Sequence, residues 1–223
     1  MTAYSIAPMP PQMDPALRDR LGGCEPATIG HFRRHGFVDP QISCRHANGP
    51  VAGTAVTIAL PPGDGTLLNH ALRLLRPGDF LIVDQGGDRR HACWGAVLTD
   101  VACRIGLAGV VIDGLATDVL AIRQAGLPLW SRGLAALTTK LANGGGAMNH
   151  PVSVGGVVVN AGDAVLADEN GILIMPASEA EAAATHAAEV EAEERRILAR
   201  LANGEVLPDI SGATRLVQGQ TGR

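Results

Sequence analysis

The chain has 223 residues, of which 46% are hydrophobic and 3% aromatic, so its core must be built mainly from aliphatic side chains. This length suits one domain, and the formal net charge of −4 excludes the basic surface of a general nucleic-acid binder. No stretch approaches the ~18 consecutive apolar residues of a membrane span, and no signal-peptide pattern begins the chain. The sequence therefore predicts a cytoplasmic protein without nucleic-acid or membrane partners.

Residues 1–24 are assigned to an N-terminal arm, in which the prolines at 8, 10 and 11 favour an extended segment. Such an arm is expected to be either disordered or draped over a neighbouring subunit. Beyond the arm, hydrophobic runs and turn residues predict alternating helices and strands. These are a helix over Ala27–His35, a strand over Val51–Leu60, a helix over Leu67–Leu75 and a buried strand over Phe80–Val83.

The most regular helix follows Gly95, and Gly106 supplies its C-terminal stop. Its apolar stripe at helical spacing comprises Val97, Leu98, Val101, Ala102 and Ile105. The apolar run over Gly109–Ile112 predicts another buried strand. Gly114 is expected to end that strand and release the chain into a helix that begins near Thr117.

The second half of the chain is predicted to be rich in strands and to end in one long helix. Strands are expected at Leu127–Trp130, Val152–Val159, Ala164–Ala167 and Ile172–Met175. Ser178 and Glu181 have the spacing of a capping box at the start of the final helix. This order predicts a layered α/β sandwich in a single domain over residues 25–205, followed by a tail over residues 206–223.

Two strand-to-helix junctions carry the features of a ligand site. At the first, the N–H groups over Gly95–Leu98 begin a helix and can bind an anion. At the second, Thr117 and Asp118 lie beyond the carboxyl end of a strand, where ligands bind in open α/β sheets. Thr117 and Asp118 also fit a second interpretation, in which they simply cap the following helix. The local pattern predicts an anion site, and the sequence lacks the GxxxxGK[ST], HExxH and GxSxG motifs.

One run of sequence joins both junctions and carries a family pattern. It comprises Gly86-Gly87-Asp88, Ala92-Cys93-Trp94-Gly95, Gly106 to Gly114 and Asp118, with Pro62-Gly63-Asp64 and Arg76-Pro77-Gly78-Asp79 upstream and Ala167-Asp168-Glu169-Asn170-Gly171 downstream. Over roughly residues 25–205 the chain resembles the RraA-like family. That family includes 4-hydroxy-4-methyl-2-oxoglutarate/4-carboxy-4-hydroxy-2-oxoadipate aldolases and regulators that inhibit ribonuclease E.

The resemblance implies a layered αββα sandwich of the swivelling β/β/α type with a long C-terminal helix. For the aldolase members it implies Mg²⁺ or Mn²⁺ held mainly by Asp118, with support from Glu193 of a neighbouring subunit. It also implies a small oxo-acid substrate and a homotrimer or dimer of trimers. The catalytic positions so implied are Thr117, Asp118 and Ala96, and the substrate-binding positions are Gly95, Ala96, Val97, Leu98 and Thr117.

Two of these positions depart from the aldolase pattern. The aldolases have an arginine before the metal-binding aspartate and an acidic residue after the glycine, whereas this chain has Thr117 and Ala96. A neutral hydroxyl cannot clamp the pyruvyl oxygens as an arginine does, and alanine cannot transfer a proton. The nearby side chains that could substitute are Arg89, Arg90, His91 and Asp100.

The sequence leaves three functions open. The first is a divalent-metal-dependent lyase, of aldolase or oxaloacetate decarboxylase type, that acts on a small oxo-acid with an altered substrate or reaction. The alternative is a non-catalytic, protein-binding regulator of the ribonuclease-inhibitor type. The third is an enzyme that keeps the metal scaffold but performs a different reaction. A Schiff-base mechanism has little support, because Lys140 is the only lysine and has no acid/base residues near it in sequence.

Overall fold

The computed structural model describes residues 4–219 and has a mixed α/β fold. Its strands are β1 (Tyr4–Ile6), β2 (Ser43–His46), β3 (Val51–Ala59), β4 (Asp79–Asp84), β5 (Ala92–Trp94), β6 (Gly109–Ala116), β7 (Leu129–Leu134), β8 (Gly146–Met148), β9 (Val152–Val154), β10 (Val157–Val159), β11 (Ala164–Ala167) and β12 (Ile172–Met175). Its α-helices are α1 (Pro15–Leu21), α2 (Pro26–Gly30), α3 (Thr66–Ala71), α4 (Ala96–Ile105), α5 (Val119–Ala125), α6 (Ala180–Ala202), α7 (Leu207–Ile210) and α8 (Ala213–Val217).

The largest sheet has a parallel centre. Strands β3, β4, β6 and β7 lie side by side in that order, and each neighbouring pair is parallel. Antiparallel partners extend this centre, with β8 and β11 on β3 and β2 on β7. The short strand β5 joins the far end of β6, where Trp94 pairs with Ala116. Polar residues that follow the parallel strands therefore gather at one edge of the sheet.

The two faces of this sheet bury different apolar clusters, because side chains alternate along a strand. On one face, Ile58 packs in a cluster with Leu68 of α3 and Ile122 of α5. On the other face, Phe80 and Trp130 pack in a cluster with residues of the β9–β10 hairpin. A third cluster joins β11 and β12 to α1, α2 and α6. The predicted layered α/β sandwich with a long C-terminal helix is confirmed.

The N-terminal segment lies against its own domain. Strand β1 runs parallel to β8, with Tyr4 opposite Gly146. Further along, the Met13 amide donates to the Thr54 hydroxyl at 2.9 Å, and Arg76 donates to the carbonyl of Pro10 at 2.9 Å. The expectation of an arm that is disordered or draped over a neighbour was therefore wrong for the residues described, because backbone pairing and side-chain hydrogen bonds hold the segment in place.

The helix predicted over Ala27–His35 is shorter in the structure. Helix α2 ends at Gly30, and the following residues turn so that Arg33 forms an ion pair with Glu179 at 2.5 Å. This ion pair joins the turn to the segment that leads into α6. The local sequence pattern does not show this tertiary contact.

Glycines explain two further differences in the strands. Strand β6 continues to Ala116 and does not end near Gly114. A Cβ at Gly114 would lie 1.9 Å from Oε1 of Gln85, so the glycine admits a buried side chain and does not mark a turn. The strand predicted over Val152–Val159 is a hairpin, because Gly155 and Gly156 adopt positive φ values of 53° and 78° and reverse the chain.

The final helix begins later than predicted and projects beyond the core. Ser178 lies in a 3-10 turn over Ala177–Glu179, and α6 starts at Ala180 without a side-chain cap, so the capping-box prediction was wrong. The buried residues of α6 all fall in its first eight positions. The helix is about 35 Å long at 1.5 Å per residue, and most of its second half is exposed. Within residues 4–219 no helix is long and apolar enough to cross a membrane.

Candidate functional site

Asp118 forms the turn between β6 and α5 in an unusual backbone conformation. Its φ and ψ are 53° and 39°, the left-handed region that aspartate tolerates better than most non-glycine residues. The Asp118 carboxylate accepts a hydrogen bond from the Ala96 amide at 2.9 Å. The β6–α5 turn therefore places a carboxylate at the N-terminus of α4.

The helix-cap interpretation is not supported for Asp118. The side chain of Asp118 caps none of the N–H groups of α5, although the residue stands directly before that helix. The Thr117 hydroxyl lies 3.4 Å from the other carboxylate oxygen of Asp118. The Thr117 and Asp118 side chains therefore lie next to each other, and Asp118 contacts the start of α4.

Gly95 is required by the close approach of its neighbours. A Cβ on this residue would lie 2.7 Å from Oδ2 of Asp118 and 3.0 Å from Cγ2 of Thr117. Its own φ of −155° is ordinary extended backbone, so conformation alone does not demand glycine. The absence of a side chain at Gly95 therefore lets the Asp118 carboxylate reach the first turn of α4.

The first turn of α4 offers fewer N–H groups than the sequence predicts. The Ala96 amide is already bonded to Asp118, and α4 has no side-chain cap. Within residues 4–219 the N–H groups of Val97 and Leu98 meet no acceptor. These two donors, together with the positive end of the helix dipole, favour an anionic ligand.

A cavity of about 230 Å³ lies at this junction. It is lined by Asn69, Ala92, Cys93, Trp94, Gly95, Ala96, Val97, Leu98, Thr117, Asp118, Thr138 and Thr139. Burial raises the pKa of the Cys93 thiol to about 12, so this residue is no thiolate nucleophile at neutral pH. The predicted residues Gly95, Ala96, Val97, Leu98, Thr117 and Asp118 therefore share one concave surface.

The far wall of the cavity is a segment that sequence reasoning missed. The Ala92 amide donates to the carbonyl of Leu137 at 2.8 Å, and the Thr139 amide donates to the carbonyl of Ala92 at 3.1 Å. This pairing brings Thr138 and Thr139 alongside β5. The chain carries no local signal for it, because the partners are more than 40 residues apart and residues 135–145 lack a clear period.

A buried carboxylate fixes that wall. Asp64 accepts hydrogen bonds from the Thr66 amide and hydroxyl at 2.8 and 2.6 Å, and from the amides of Ala142 and Gly144 at 3.1 and 2.5 Å. Burial acts to raise the pKa of Asp64, but these hydrogen bonds outweigh it and lower the pKa. A charged Asp64 therefore holds the segment after Thr139 against the start of α3.

Glu193 does not meet Asp118 within this chain. It lies on the exposed half of α6, pairs with Arg196 at 3.0 Å, and does not line the cavity. Among the residues described, no group of three or more His, Cys, Asp or Glu side chains is arranged to hold a metal ion. The predicted role of Glu193 concerns a neighbouring subunit and stays a prediction.

The side chains considered as substitutes lie outside the lining of the cavity. His91 pairs with Asp88 at 2.8 Å, and Asp100 pairs with Arg104 at 2.7 Å on the outer face of α4. Arg89 acts electrostatically on Asp39 and Asp113, whose pKa values are lowered mainly by other contacts. None of these residues, nor Arg90 or Lys140, lines the cavity.

The donor set fits a hard, largely hydrated divalent cation. The Asp118 carboxylate is exposed, and its bond to the Ala96 amide leaves further lone pairs for a metal. The neighbouring side-chain oxygen is the neutral hydroxyl of Thr117, 3.4 Å from Oδ1 of Asp118. Mg²⁺ is commonly bound through one or two carboxylates with water completing its shell, so a single carboxylate is an acceptable site.

The fold and cavity define a layered α/β protein with a carboxylate and free amides at one sheet edge. The family can be given more closely, because the RraA-like family model, described as Aldolase/RraA, matches residues 17–174. The chain therefore belongs to the RraA-like family.

Sequence relatives carry aldolase names. A protein of Halalkalibacterium halodurans, provisionally named a 4-hydroxy-4-methyl-2-oxoglutarate aldolase, is 32% identical over 60% of this chain and 63% of its own length. A protein of the same provisional name from Ectopseudomonas mendocina is 35% identical over 62% of this chain and 85% of its own length. The match thus spans under two thirds of the Halalkalibacterium relative.

Solved structures share the fold. An uncharacterized protein from Pseudomonas syringae pv. tomato superposes with a TM-score of 0.79 at 22% identity, over 94% of this chain and 99% of its own, which shows the fold. A Streptomyces coelicolor protein, described as an unusual member of an RraA family of ribonuclease inhibitors, superposes with a TM-score of 0.74 at 26% identity. The match covers 84% of this chain and 99% of the other.

Proposed function

We propose that this protein is a divalent-metal-dependent carbon–carbon lyase, of aldolase or oxaloacetate decarboxylase type, that acts on a small 2-oxo acid. The observation that carries the proposal is the Asp118 carboxylate turned onto the N-terminus of α4. Beside it are the amides of Val97 and Leu98, which meet no acceptor within residues 4–219. A carboxylate for a cation and amides for an anion, side by side, suit a 2-oxo acid. The aldolase names of the sequence relatives support this reading.

Each residue has a defined task in this proposal. Asp118 holds Mg²⁺ or Mn²⁺, which when bound would supply Lewis acidity towards the oxygens of the 2-oxo acid. The Val97 and Leu98 amides bind the substrate carboxylate, and the Thr117 hydroxyl donates to a substrate oxygen. Gly95 keeps the approach to Asp118 open, since a Cβ there would meet the carboxylate.

The side chains of Thr117 and Ala96 determine how fast a turnover we expect. Neither provides the positive charge or the ionisable group that the resemblance implies for efficient aldolases. The loss of one preorganised electrostatic partner costs on the order of 10²–10³ in rate. The proposal therefore expects slow turnover of the family substrate, or a substrate that differs from it.

The active assembly is proposed to be a homotrimer or a dimer of trimers in the cytoplasm. Large apolar side chains are exposed on the elements around the cavity, including Val97 at 77%, Leu120 at 69% and Leu141 at 72%. Large apolar side chains exposed in this number favour an interface. In such an assembly Glu193 of one subunit would support the metal site of the next.

Pyruvate release from oxaloacetate and from 4-hydroxy-4-methyl-2-oxoglutarate tests the lyase. We expect release that depends on Mg²⁺ or Mn²⁺ and falls by at least about 10²-fold in Asp118→Asn. Asp100→Asn is the matched control, because that carboxylate pairs with Arg104 outside the cavity. Release no faster than the metal-only blank with both substrates would refute the proposal.

A protein-binding regulator is the second candidate. The similarity to ribonuclease-inhibitor structures and the side chains at Thr117 and Ala96 favour it. Titration calorimetry with purified ribonuclease E would give a saturable heat if the regulator is correct. The absence of binding, together with metal-dependent pyruvate release, would leave the lyase.

A further inference from the structure

The cavity beside Asp118 has two chemically different ends, separated by β5. Strand β5 pairs with β6 on one side, which brings Thr117 and Asp118 to one end. On its other side β5 meets residues 137–139 through backbone hydrogen bonds of Ala92, which brings Thr138 and Thr139 to the other end. Strands lie about 4.8 Å apart, so the two ends are separated by roughly 10 Å.

The far end offers neutral hydrogen-bonding groups. Within residues 4–219, the hydroxyls of Thr138 and Thr139 and the side-chain oxygen of Asn69 have no hydrogen-bond partner. The amide nitrogen of Asn69 donates to the carbonyl of Gly65 at 2.9 Å, which fixes the orientation of the side chain. Such groups can bond to alcohols as donors or acceptors.

Within one chain, the described residues at the far end offer no positive charge to a second carboxylate. Among the described residues that line the cavity there is no Arg, Lys or His, and Asp118 is the carboxylate present. His70 follows Asn69 and Lys140 follows Thr139 along the chain, but neither lines the cavity. A second carboxylate bound there would find no counter-ion among these residues, whereas a hydroxyl would find hydrogen-bond donors and acceptors.

We propose that the cavity selects 2-oxo acids that have one carboxylate and a neutral, hydroxylated distal end. This inference rests on the proposed lyase function and names its substrate class. The 2-oxo carboxylate lies at the end formed by Asp118, Val97 and Leu98, and the distal hydroxyl bonds to Asn69, Thr138 or Thr139. The cavity volume of about 230 Å³ limits the substrate to a short carbon chain.

The cleavage of such a substrate balances without a further reactant. In 4,5-dihydroxy-2-oxopentanoate the C3–C4 bond breaks and its electron pair passes to C3. The C4 hydroxyl loses its proton, and C4 becomes the aldehyde carbon of glycolaldehyde. A proton adds to C3, and pyruvate results.

A matched substrate pair tests the selection. 4,5-Dihydroxy-2-oxopentanoate and 4-hydroxy-2-oxoglutarate differ at C5 alone, which is a hydroxymethyl group in the first and a carboxylate in the second. Both release pyruvate on cleavage. We expect kcat/KM to be at least about tenfold higher for the hydroxymethyl compound, because its partners are satisfied in the cavity.

The outcomes separate this inference from the proposed function. Pyruvate release from either compound supports a lyase, whereas equal rates or faster cleavage of the dicarboxylate would overturn the substrate class alone. If neither compound reacts, the lyase proposal fails for these substrates and binding decides the inference. Titration calorimetry with Mg²⁺ then compares 5-hydroxy-2-oxopentanoate with 2-oxoglutarate, which lack the C4 hydroxyl and cannot undergo this cleavage.

Substitutions at the far end give an independent test. Thr138→Val with Thr139→Val should lower kcat/KM for the hydroxymethyl compound by about three- to tenfold per lost bond, and leave the dicarboxylate unchanged. Thr139→Arg should shift the preference towards the dicarboxylate. Thr185→Val, at an exposed position of α6, and Lys140→Gln are controls expected to leave the ratio unchanged. An unchanged ratio in both threonine variants would overturn the inference.

Discussion

Gly95 and Asp118 constrain each other across the loop between two elements. The backbone conformation of Gly95 does not require glycine, but the missing side chain leaves space for the Asp118 carboxylate. Asp118 occupies that space from a left-handed turn. A change at either residue therefore acts on the other. Effects on catalysis and effects on stability can be separated by choosing substitutions that add or remove one of these features.

Gly95→Ala should abolish most metal-dependent activity while the protein still folds. The added Cβ would lie 2.7 Å from Oδ2 of Asp118 and would displace the carboxylate from the Ala96 amide. Pyruvate release and circular dichroism of the purified variant measure the two effects. Gly171→Ala is the matched control, because no atom lies within 4 Å of its added Cβ and its φ is not positive. Full activity of Gly95→Ala would show that the Asp118 position is unimportant.

The double substitution Ala96→Asp with Thr117→Arg should raise the rate of pyruvate release from oxaloacetate. It supplies the charge and the ionisable group that these positions lack, and each is worth on the order of 10²-fold or more. Steady-state rates of the double and both single variants measure the gain. Rates that do not rise in any of the three would mean that these side chains are not what limits turnover.

At the residue scale the sequence predicted the residues at one end of the candidate site's cavity. Asp118 and Gly95 stand at strand-to-helix junctions, where local pattern and sheet geometry are informative. The pattern did not predict that Ala96 gives its amide to Asp118, which leaves two donors at α4. That bond depends on the left-handed turn at Asp118, and no motif in the sequence encodes this conformation.

At the scale of elements, the segment from Leu137 to Gly146 is a loop that forms the far wall of the cavity. It has little regular structure of its own, yet it is tied to β5 at Ala92 and to the start of α3 through Asp64. The wall that carries Thr138 and Thr139 therefore depends on a charge some 75 residues earlier in the chain. Sequence periodicity could not predict it, because hydrogen bonds between distant loops leave no repeat.

Asp64→Asn should lower the free energy of unfolding by roughly 2–4 kcal/mol at pH 7, because hydrogen bonds to a charged acceptor are lost. The pKa of Asp64 is lowered in the folded state, so its contribution is present above the unfolded value of about 3.9 and is lost as the pH falls through the folded value. Urea unfolding at pH 7 and near pH 3 should show the gap between wild type and variant shrinking with acid.

Asp163→Asn is the control for this pH dependence. Burial raises the pKa of Asp163, so removal of its charge should cost little stability at pH 7. A gap for Asp64→Asn that stays constant between the two pH values would show that its charge does not hold the wall.

At the scale of the whole molecule, two features remain exposed in a single chain. They are the projecting second half of α6 and the apolar side chains around the cavity. The second half of α6 is mostly exposed, and Val97 and Leu120 are exposed beside the cavity. The fold class was predictable because strand and helix periods are local. The proposed arrangement of subunits rests on the family resemblance alone, since interface residues show no period of their own.

Mixing two inactive variants should restore activity if the site is shared between subunits. Asp118→Asn and Glu193→Gln damage different halves of a shared site, so a mixed trimer contains some sites with both native residues. Co-expression with two affinity tags isolates the mixed species for pyruvate assays. Each variant alone is expected to fall at least about tenfold, and the mixture to recover a fraction of the native rate.

The control mixture uses Asp118→Asn with Gly95→Ala, which damage the same half of the site. This mixture should stay inactive, because every subunit carries one of the two substitutions and no site has both residues native. Equal activity of the two mixtures would place the whole site within one subunit and would remove Glu193 from it.

The left-handed backbone at Asp118 also restricts which residues evolution can place there. Most side chains cost about 1–2 kcal/mol in that conformation, whereas glycine, asparagine and aspartate tolerate it. A relative that kept the turn without the carboxylate is therefore expected to carry Asn or Gly at this position. Among sequences too distant for assays to be transferred, the residue at this position would separate members that keep the carboxylate from those that keep only the turn.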